Sequence, residues 1–214
     1  MLTVHHLGRS QSERIVWLCE ELGIPYDLRV HVRDRETLLS PPALKALHPM
    51  GAAPVIEDDG VTLAESGAIM EYVIARHGGG RLAPKPEDPA YPDHLYWLHF
   101  ANGTLQPAMG RMMMLARLDL PADNPVLGAM RGRLERALGL VEARLAGGAT
   151  WLAGEAFTTA DIMIVFTLTT MRSFFPVDLA PYPAIRAYLR RVAARPAYQR
   201  AMAKGDPGMI PLLD

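Results

Sequence analysis

The sequence predicts a protein in two parts, a mixed α/β domain followed by an all-helical one. Three observations carry that division. The first part of the chain alternates short strand-like runs with amphipathic helical stretches. The stretch Gly78 to Asp93, GGGRLAPKPEDPAYPD, holds three glycines and four prolines, and no element can run through it. Every periodic segment beyond it reads as helix. The domains are therefore placed at 1–78 and 93–214, with a linker at 79–92.

In the first part, Thr3 to Leu7 is a short strand ended by Gly8. Ser12 to Leu22 is an amphipathic helix with Ile15, Leu18, Cys19 and Leu22 on one face. Gly23 and Pro25 stop it. Tyr26 to Val32 alternates as a strand does, and Pro41 to Leu47 makes a short helix after a proline start. A hairpin follows, with Val55 and Ile56 in one arm, a turn at Asp58, Asp59 and Gly60, and Val61 and Leu63 in the other. Ser66 to Arg76 is a helix with Ile69, Met70, Val73 and Ile74 inward. The order is β-α-β-α-β-β-α.

After the linker, Leu95 to Arg117 is one long helix or a pair kinked at Pro107. Leu127, Met130, Leu134, Ala137, Val141 and Leu145 mark another helix. Ile162 to Arg172 is apolar almost all round and belongs in the centre. Ile185 to Met202 closes the bundle. Thr158 to Ile162 carries a helix start: Thr158 caps, Asp161 reaches back, and Phe157 staples onto Ile162. Asp161 is thereby a folding device.

Composition excludes several classes. Half of the 214 residues are apolar, so a sizeable core forms. The net charge of −1 creates no field for nucleic acid or an anionic membrane. Cys19 is the single cysteine, which rules out an intrachain disulfide and a CxxC redox motif, and its place on an apolar helix face makes it an inert buried thiol. The N-terminus has no signal-peptide run, and the longest apolar stretch is too short for a bilayer. A soluble, cytoplasmic protein is expected. His5 and His6 are neighbours on a strand and point to opposite faces; His94 and His99 do not share a helix face. No ligand set has metal spacing, and no metal is expected. The arginines between Arg186 and Arg200 read as a solvated helix face.

The hairpin raises a question. Pro54 stands where its first arm begins, although proline cannot donate to a ladder. The motifs around it supply an answer. HPMGAAPVI (48–56), LAESGAIMEYV (63–73), HHLGRSQSERIVWLCEELGIPY (5–26), FTTADI (157–162) and YPAIRAYLRRVAARPAYQRAM (182–202) keep their order over nearly the whole chain. Together they resemble the cytosolic glutathione S-transferases, and HPMG, LAESG and GTLQP (103–107) are most similar to the serine-type fungal and bacterial, theta-like group. The resemblance implies a thioredoxin-like N-terminal domain and an all-α helical-bundle domain, the glutathione S-transferase fold.

It also implies a site. The bond Ala53–Pro54 would be cis, freeing the backbone of Val55 to pair with the cysteinyl part of glutathione as an added strand. Ser66, at a helix start, would bind the γ-glutamyl carboxylate, and Glu65 would take the amino group or brace the turn. The plainer alternative makes Pro54 a strand start and Ser66 only a cap. The glycyl carboxylate needs a cation, and the loop before the proline offers only Gly51, Ala52 and Ala53. Lys45, His48 or the pair Arg33 and Arg35 can substitute, and Asn102 can reach the pocket from the long helix.

Catalysis by such a protein requires a thiolate. A free thiol with pKa ~8.5 is only a few per cent ionised at pH 7, and lowering that value by about two units is worth roughly 2.7 kcal/mol. Ser10 ends the first strand–helix loop, four residues before Arg14, where the family's serine classes place their hydroxyl donor to sulfur. His5-His6-Leu7 occupies the region where the tyrosine classes carry tyrosine. Ser12 and backbone donors are the alternatives, and either serine can cap the helix. Arg14 is assigned a structural place near an interface. Leu7, Met109, Met113 and Phe174 are the candidates for the wall facing a hydrophobic electrophile.

The implied activity is a glutathione transferase with glutathione as substrate, conjugating hydrophobic electrophiles or reducing organic peroxides, and the family is usually homodimeric. The alternative is a non-catalytic ligand-binding or protein-interaction module on the same fold.

Overall fold

The computed structural model describes residues 1–214 except Arg35 and Leu38. The chain forms two compact units. The first comprises residues 1–83 and 193–210, the second residues 84–192 and 211–214.

The first unit is built on a four-stranded sheet with β1 (Thr3–Leu7), β2 (Asp27–His31), β3 (Val55–Asp58) and β4 (Val61–Ala64) in the order β2-β1-β3-β4. β1 and β2 are parallel, joined through helix α1 (Glu13–Leu22); β3 is antiparallel to β1 and β4 to β3. Strand alternation sorts the sheet into two faces. On one, Leu7 and Val55 pack with Ala64 and with Leu44 of the short helix α2 (Pro42–Lys45). The other face meets α1 and α3 (Ser66–Arg76), whose Ile15, Leu18, Ile69 and Val73 are fully buried as their periodicity predicts.

The last helix differs from expectation. The run from Ile185 to Met202 is two helices, α8 (Pro183–Ala193) and α9 (Pro196–Gly205). Pro196 lacks the N–H that would continue the helix and forces Arg195 into an extended conformation, φ −75° and ψ 120°. After this break α9 packs along α1 in the first unit. Trp17 meets Tyr198 edge-on at 4.8 Å. Arg195 makes a two-pronged bond to Glu21, and Arg200 and Lys204 both pair with Glu20. These basic residues are therefore anchors of α9, not only a solvated face.

In the second unit the expected long helix is α4 (Tyr91–Phe100) and α5 (Gln106–Leu115) joined by a π-helical turn at Ala101–Leu105. Pro107 cannot donate to the carbonyl four residues back, and the preceding Gln106 N–H reaches five back, to Ala101. Helix α6 (Pro125–Ala146) starts with the Asn124 side chain accepting from the N–H groups of Val126 and Leu127. Every residue of α7 (Thr159–Leu168) is buried. Its start carries the capping box of Thr158 and Asp161. Asp161 also accepts from the Leu152 N–H at 3.0 Å and the Tyr188 hydroxyl at 3.1 Å. Phe157 lies edge-on to Trp151.

Candidate functional site

Sheet register brings three loops to one end of the first unit. β1 runs towards Leu7; the facing pairs His5 with Val55 and Val55 with Ala64 set the start of β3 and the end of β4 beside it. The segments that leave this end are Gly8 to Ser12, Gly51 to Pro54, and Glu65 with Ser66. The peptide bond Ala53–Pro54 is cis. Val55 needs a correction: β3 lies between β1 and β4, so Val55 has a strand on each side and presents no free edge. Ala53 precedes the ladder and carries the backbone available at this end.

Ser10 lies in the first of these loops, its hydroxyl oxygen 2.7 Å from that of Ser12, and it accepts from the Ser12 N–H at 3.3 Å. Ser12 in turn accepts from the Leu7 N–H at 3.0 Å and stands 2.9 Å from His6 Nδ1. The loop is also held from outside. The Asp206 carboxylate, just past α9, accepts the Arg9 N–H at 2.8 Å, with Arg9 at φ 53°. Arg33 donates to the carbonyls of Gly8 and Arg9. Burial pulls the Arg33 guanidinium below its ordinary value, with Asp206 opposing the shift. Arg33 is thus committed to the loop, and Arg35, the other half of that expected cation pair, lies outside the described residues.

Two glycines permit this close fit. A Cβ on Gly8 would come 3.0 Å from Asp206 Oδ1, and one on Gly205 would come 3.1 Å from His6 Nε2. A Cβ at either place would crowd the Asp206 or His6 side chain and require it to shift.

Ser66 opens α3 and is buried. Arg14 Nη1 donates to its hydroxyl at 3.3 Å and to Gln11 Oε1 at 2.9 Å. Arg14 is fully buried, and that burial lowers its guanidinium to about 9, with Glu13 opposing the shift. It therefore joins the Ser10 loop to the start of α3 inside this unit. Glu65 is exposed and adopts φ 72°, a region that L-residues rarely occupy and that concentrates at functional turns. Of the other cations, Lys45 is exposed on α2 with its side chain against Gly51, while His48 Nδ1 accepts the Met50 N–H within its own turn.

The expected hydrophobic residues separate. Leu7 is buried in the cluster with Leu44 and Val55, and Met109 is fully buried in the helical unit, so packing takes both. Helical geometry requires this of some member of a methionine run, since consecutive residues face different ways. Met113 lines an apolar groove of about 590 Å³ with Pro107, Gly110, Met114, Val126 and Met130. Phe174 is 47% exposed and follows α7. Asn102 sits in the π-helical turn of the second unit. Burial pushes the Cys19 thiol up to about 12, which makes it inert at neutral pH. Among the described residues no helix is long and apolar enough to cross a membrane.

Comparison with known proteins decides the family. Residues 9–76 match the glutathione S-transferase N-terminal domain and residues 105–196 the C-terminal domain. Glutathione S-transferase 3 of Schizosaccharomyces pombe is 32% identical, over 99% of this chain and 91% of that protein. The chain belongs to the glutathione S-transferase family. A glutathione S-transferase from Actinobacillus pleuropneumoniae superposes with a TM-score of 0.87 at 34% identity, covering 96% of this chain and 93% of the other. A glutathione transferase family member from Pseudomonas fluorescens, solved with two glutathione bound, gives 0.76 at 25% identity over 94% and 92%. The thioredoxin-like domain and the helical domain of the glutathione S-transferase fold are therefore both present.

Three features of this glutathione S-transferase were not legible in its motifs. Arg14 reaches Ser66 directly; the S-Q-S-E-R spacing points to Arg14 but not to its partner. His6 and Asp206 stand behind Ser12, and no motif joins residues 200 positions apart. The pairing of α9 with α1 left one signal in the sequence: adjacent acids Glu20 and Glu21 on one helix and Arg195, Arg200 and Lys204 on another.

Proposed function

We propose that this chain is a glutathione transferase, binding the tripeptide at the sheet end where its three loops meet and holding the thiol as a thiolate beside Ser10. The observation that carries this reading is the convergence of the Ser10 loop, the cis Ala53–Pro54 bond and the buried Ser66 at one end of one sheet. In this reading the backbone of Ala53 pairs with the cysteinyl unit, and Pro54 fixes its direction. Ser66 and the first N–H groups of α3 receive the γ-glutamyl carboxylate, favoured by the positive end of the helix. Glu65 takes the amino group. Lys45, lying along Gly51, is our choice for the glycyl carboxylate, with His48 beside the same turn.

Ser10 donates its hydroxyl proton to the sulfur and stabilises the thiolate; it forms no bond to the electrophile. The thiolate electron pair forms the new C–S bond. With an aryl halide, the halide departs with its bonding pair. An organic peroxide is reduced by two glutathione molecules to the alcohol and water, leaving glutathione disulfide. Met113 and Phe174 are the candidate contacts for the hydrophobic electrophile. The resemblance supports a homodimer, and a lone buried cysteine fits a reducing cytoplasm.

The test is turnover of a chloronitroaromatic with glutathione by the wild-type protein and by Ser10→Ala. Saturable turnover that collapses in the variant is the expected result. A protein that binds hydrophobic dyes and glutathione yet turns nothing over is a carrier, and the reading fails.

A further inference from the structure

Behind Ser10 lies a buried polar chain that ends on α9. Ser10 Oγ is 2.7 Å from Ser12 Oγ, Ser12 Oγ is 2.9 Å from His6 Nδ1, and His6 Nε2 is 3.2 Å from Asp206 Oδ2. Ser12 and His6 are fully buried. The last contact is close but makes no aligned hydrogen bond.

Proton counting restricts what this chain can do. A hydroxyl has one proton to give and two lone pairs. One lone pair of Ser12 is taken by the Leu7 N–H, which can only donate. The Ser12 proton also has the Leu7 carbonyl within reach at 3.3 Å; spent there, it leaves one lone pair between Ser10 and His6, whereas two arrangements satisfy both of these side chains. If Ser12 donates to His6, it must accept from Ser10, and the Ser10 proton is turned inward. If His6 Nδ1–H donates to Ser12, then Ser12 donates to Ser10, and the Ser10 proton is left to point at a ligand. The Ser12 N–H, which also donates to Ser10, fits the second arrangement without competing for that proton.

We propose that His6, acting through Ser12, is a positioning residue that turns the Ser10 hydroxyl proton outward to the glutathione sulfur. This rests on the reading of Ser10 given above. The charged and titratable groups near His6 are Asp206 following α9, Arg33 and His31 at the end of β2, and His5 on the opposite face of β1. Asp206 is the one carboxylate beside the ring among the described residues, and it also fixes Arg9, so it couples the seating of α9 to the orientation of the Ser10 loop.

Two near-isosteric substitutions separate the ring nitrogens. His6→Asn places an amide donor where Nδ1 stood; His6→Gln moves the polar group to the Asp206 side. The measurement is the pKa of enzyme-bound glutathione from thiolate absorbance, with kcat and KM for glutathione, in both variants, in Ser12→Ala and in Ser10→Ala. The expected result is a rise of about one unit in His6→Gln and Ser12→Ala, with KM within about threefold and at least half the rise recovered in His6→Asn. A rise in Ser10→Ala with Ser12→Ala and His6→Gln at the wild-type value overturns the relay alone. Equal rises in His6→Asn and His6→Gln make His6 a packing residue and also overturn it. No rise in Ser10→Ala removes Ser10 from the mechanism, and the relay with it.

Discussion

Arg14 and Ser66 are 52 positions apart in the chain, yet Arg14 Nη1 donates to Ser66 Oγ across 3.3 Å in the buried interior of the first unit. The same guanidinium nitrogen holds Gln11, next to Ser10. One side chain thus fixes the distance between the loop assigned to the sulfur and the helix start assigned to the γ-glutamyl carboxylate. Replacing Arg14 by Met keeps the stem and removes the donors. The expected outcome is about 3 kcal/mol less stability, from buried partners left unpaired. KM for glutathione should rise at least tenfold, more than kcat falls. Denaturant unfolding and initial-rate kinetics check both.

On the proposed reading, Ser10→Ala removes one donor to the thiolate. Loss of a single such donor costs about 10²-fold in rate. Turnover should drop by that order, with glutathione KM changed less than about threefold, because the remaining binding contacts are elsewhere.

Glu20 fastens α9 to α1. Its own burial raises its carboxyl, but bonds from Lys204, Tyr26 and Arg200 outweigh that and hold it below the ordinary value of 4.5. A folded-state value below the unfolded one gives stability that is present above the unfolded value and lost as pH falls through the folded one. Wild-type protein should therefore lose more stability than Glu20→Gln between pH 5 and pH 3. At pH 7 the variant should cost about 1 kcal/mol, since Arg200 and Lys204 are half exposed. Melting curves across that range test both statements.

Asp161 behaves with the opposite sign. Burial raises it to about 6, and its bonds to Leu152, Thr158 and Tyr188 offset only part of that. The stability it gives is full below 3.8 and lost as pH rises through about 6. Wild type should lose ground to Asp161→Asn between pH 4 and pH 7. Asp161→Ala strands two N–H donors and the Tyr188 hydroxyl, and should cost about 3 kcal/mol at any pH in that range.

Local signals in the sequence read well where the physics is local. Ile15 and Leu18 at helical spacing announced α1, Gly23 its end, and Thr158 with Asp161 the start of α7. The break at Pro196 was equally local and marks two helices where one was expected. What the pattern does not encode is the partner of a face. The apolar stripe of α9 says that it packs, not that it returns to α1, and Glu20 meets Arg200 across 180 positions. Val55 failed for the same reason: a strand's sequence gives its alternation, while its place between β1 and β4 depends on the whole sheet. Leu7 and Met109 are apolar residues of the kind that line clefts and cores alike, and only packing separates them.

The proposed function requires this protein to hold glutathione as a thiolate. The direct measurement is the ultraviolet difference spectrum of glutathione added to the pure protein, titrated from pH 5 to pH 9. The expected result is a saturable thiolate band that persists about two units below the ordinary thiol pKa of ~8.5. Saturable binding whose band follows free glutathione, or no binding at millimolar ligand, would contradict it.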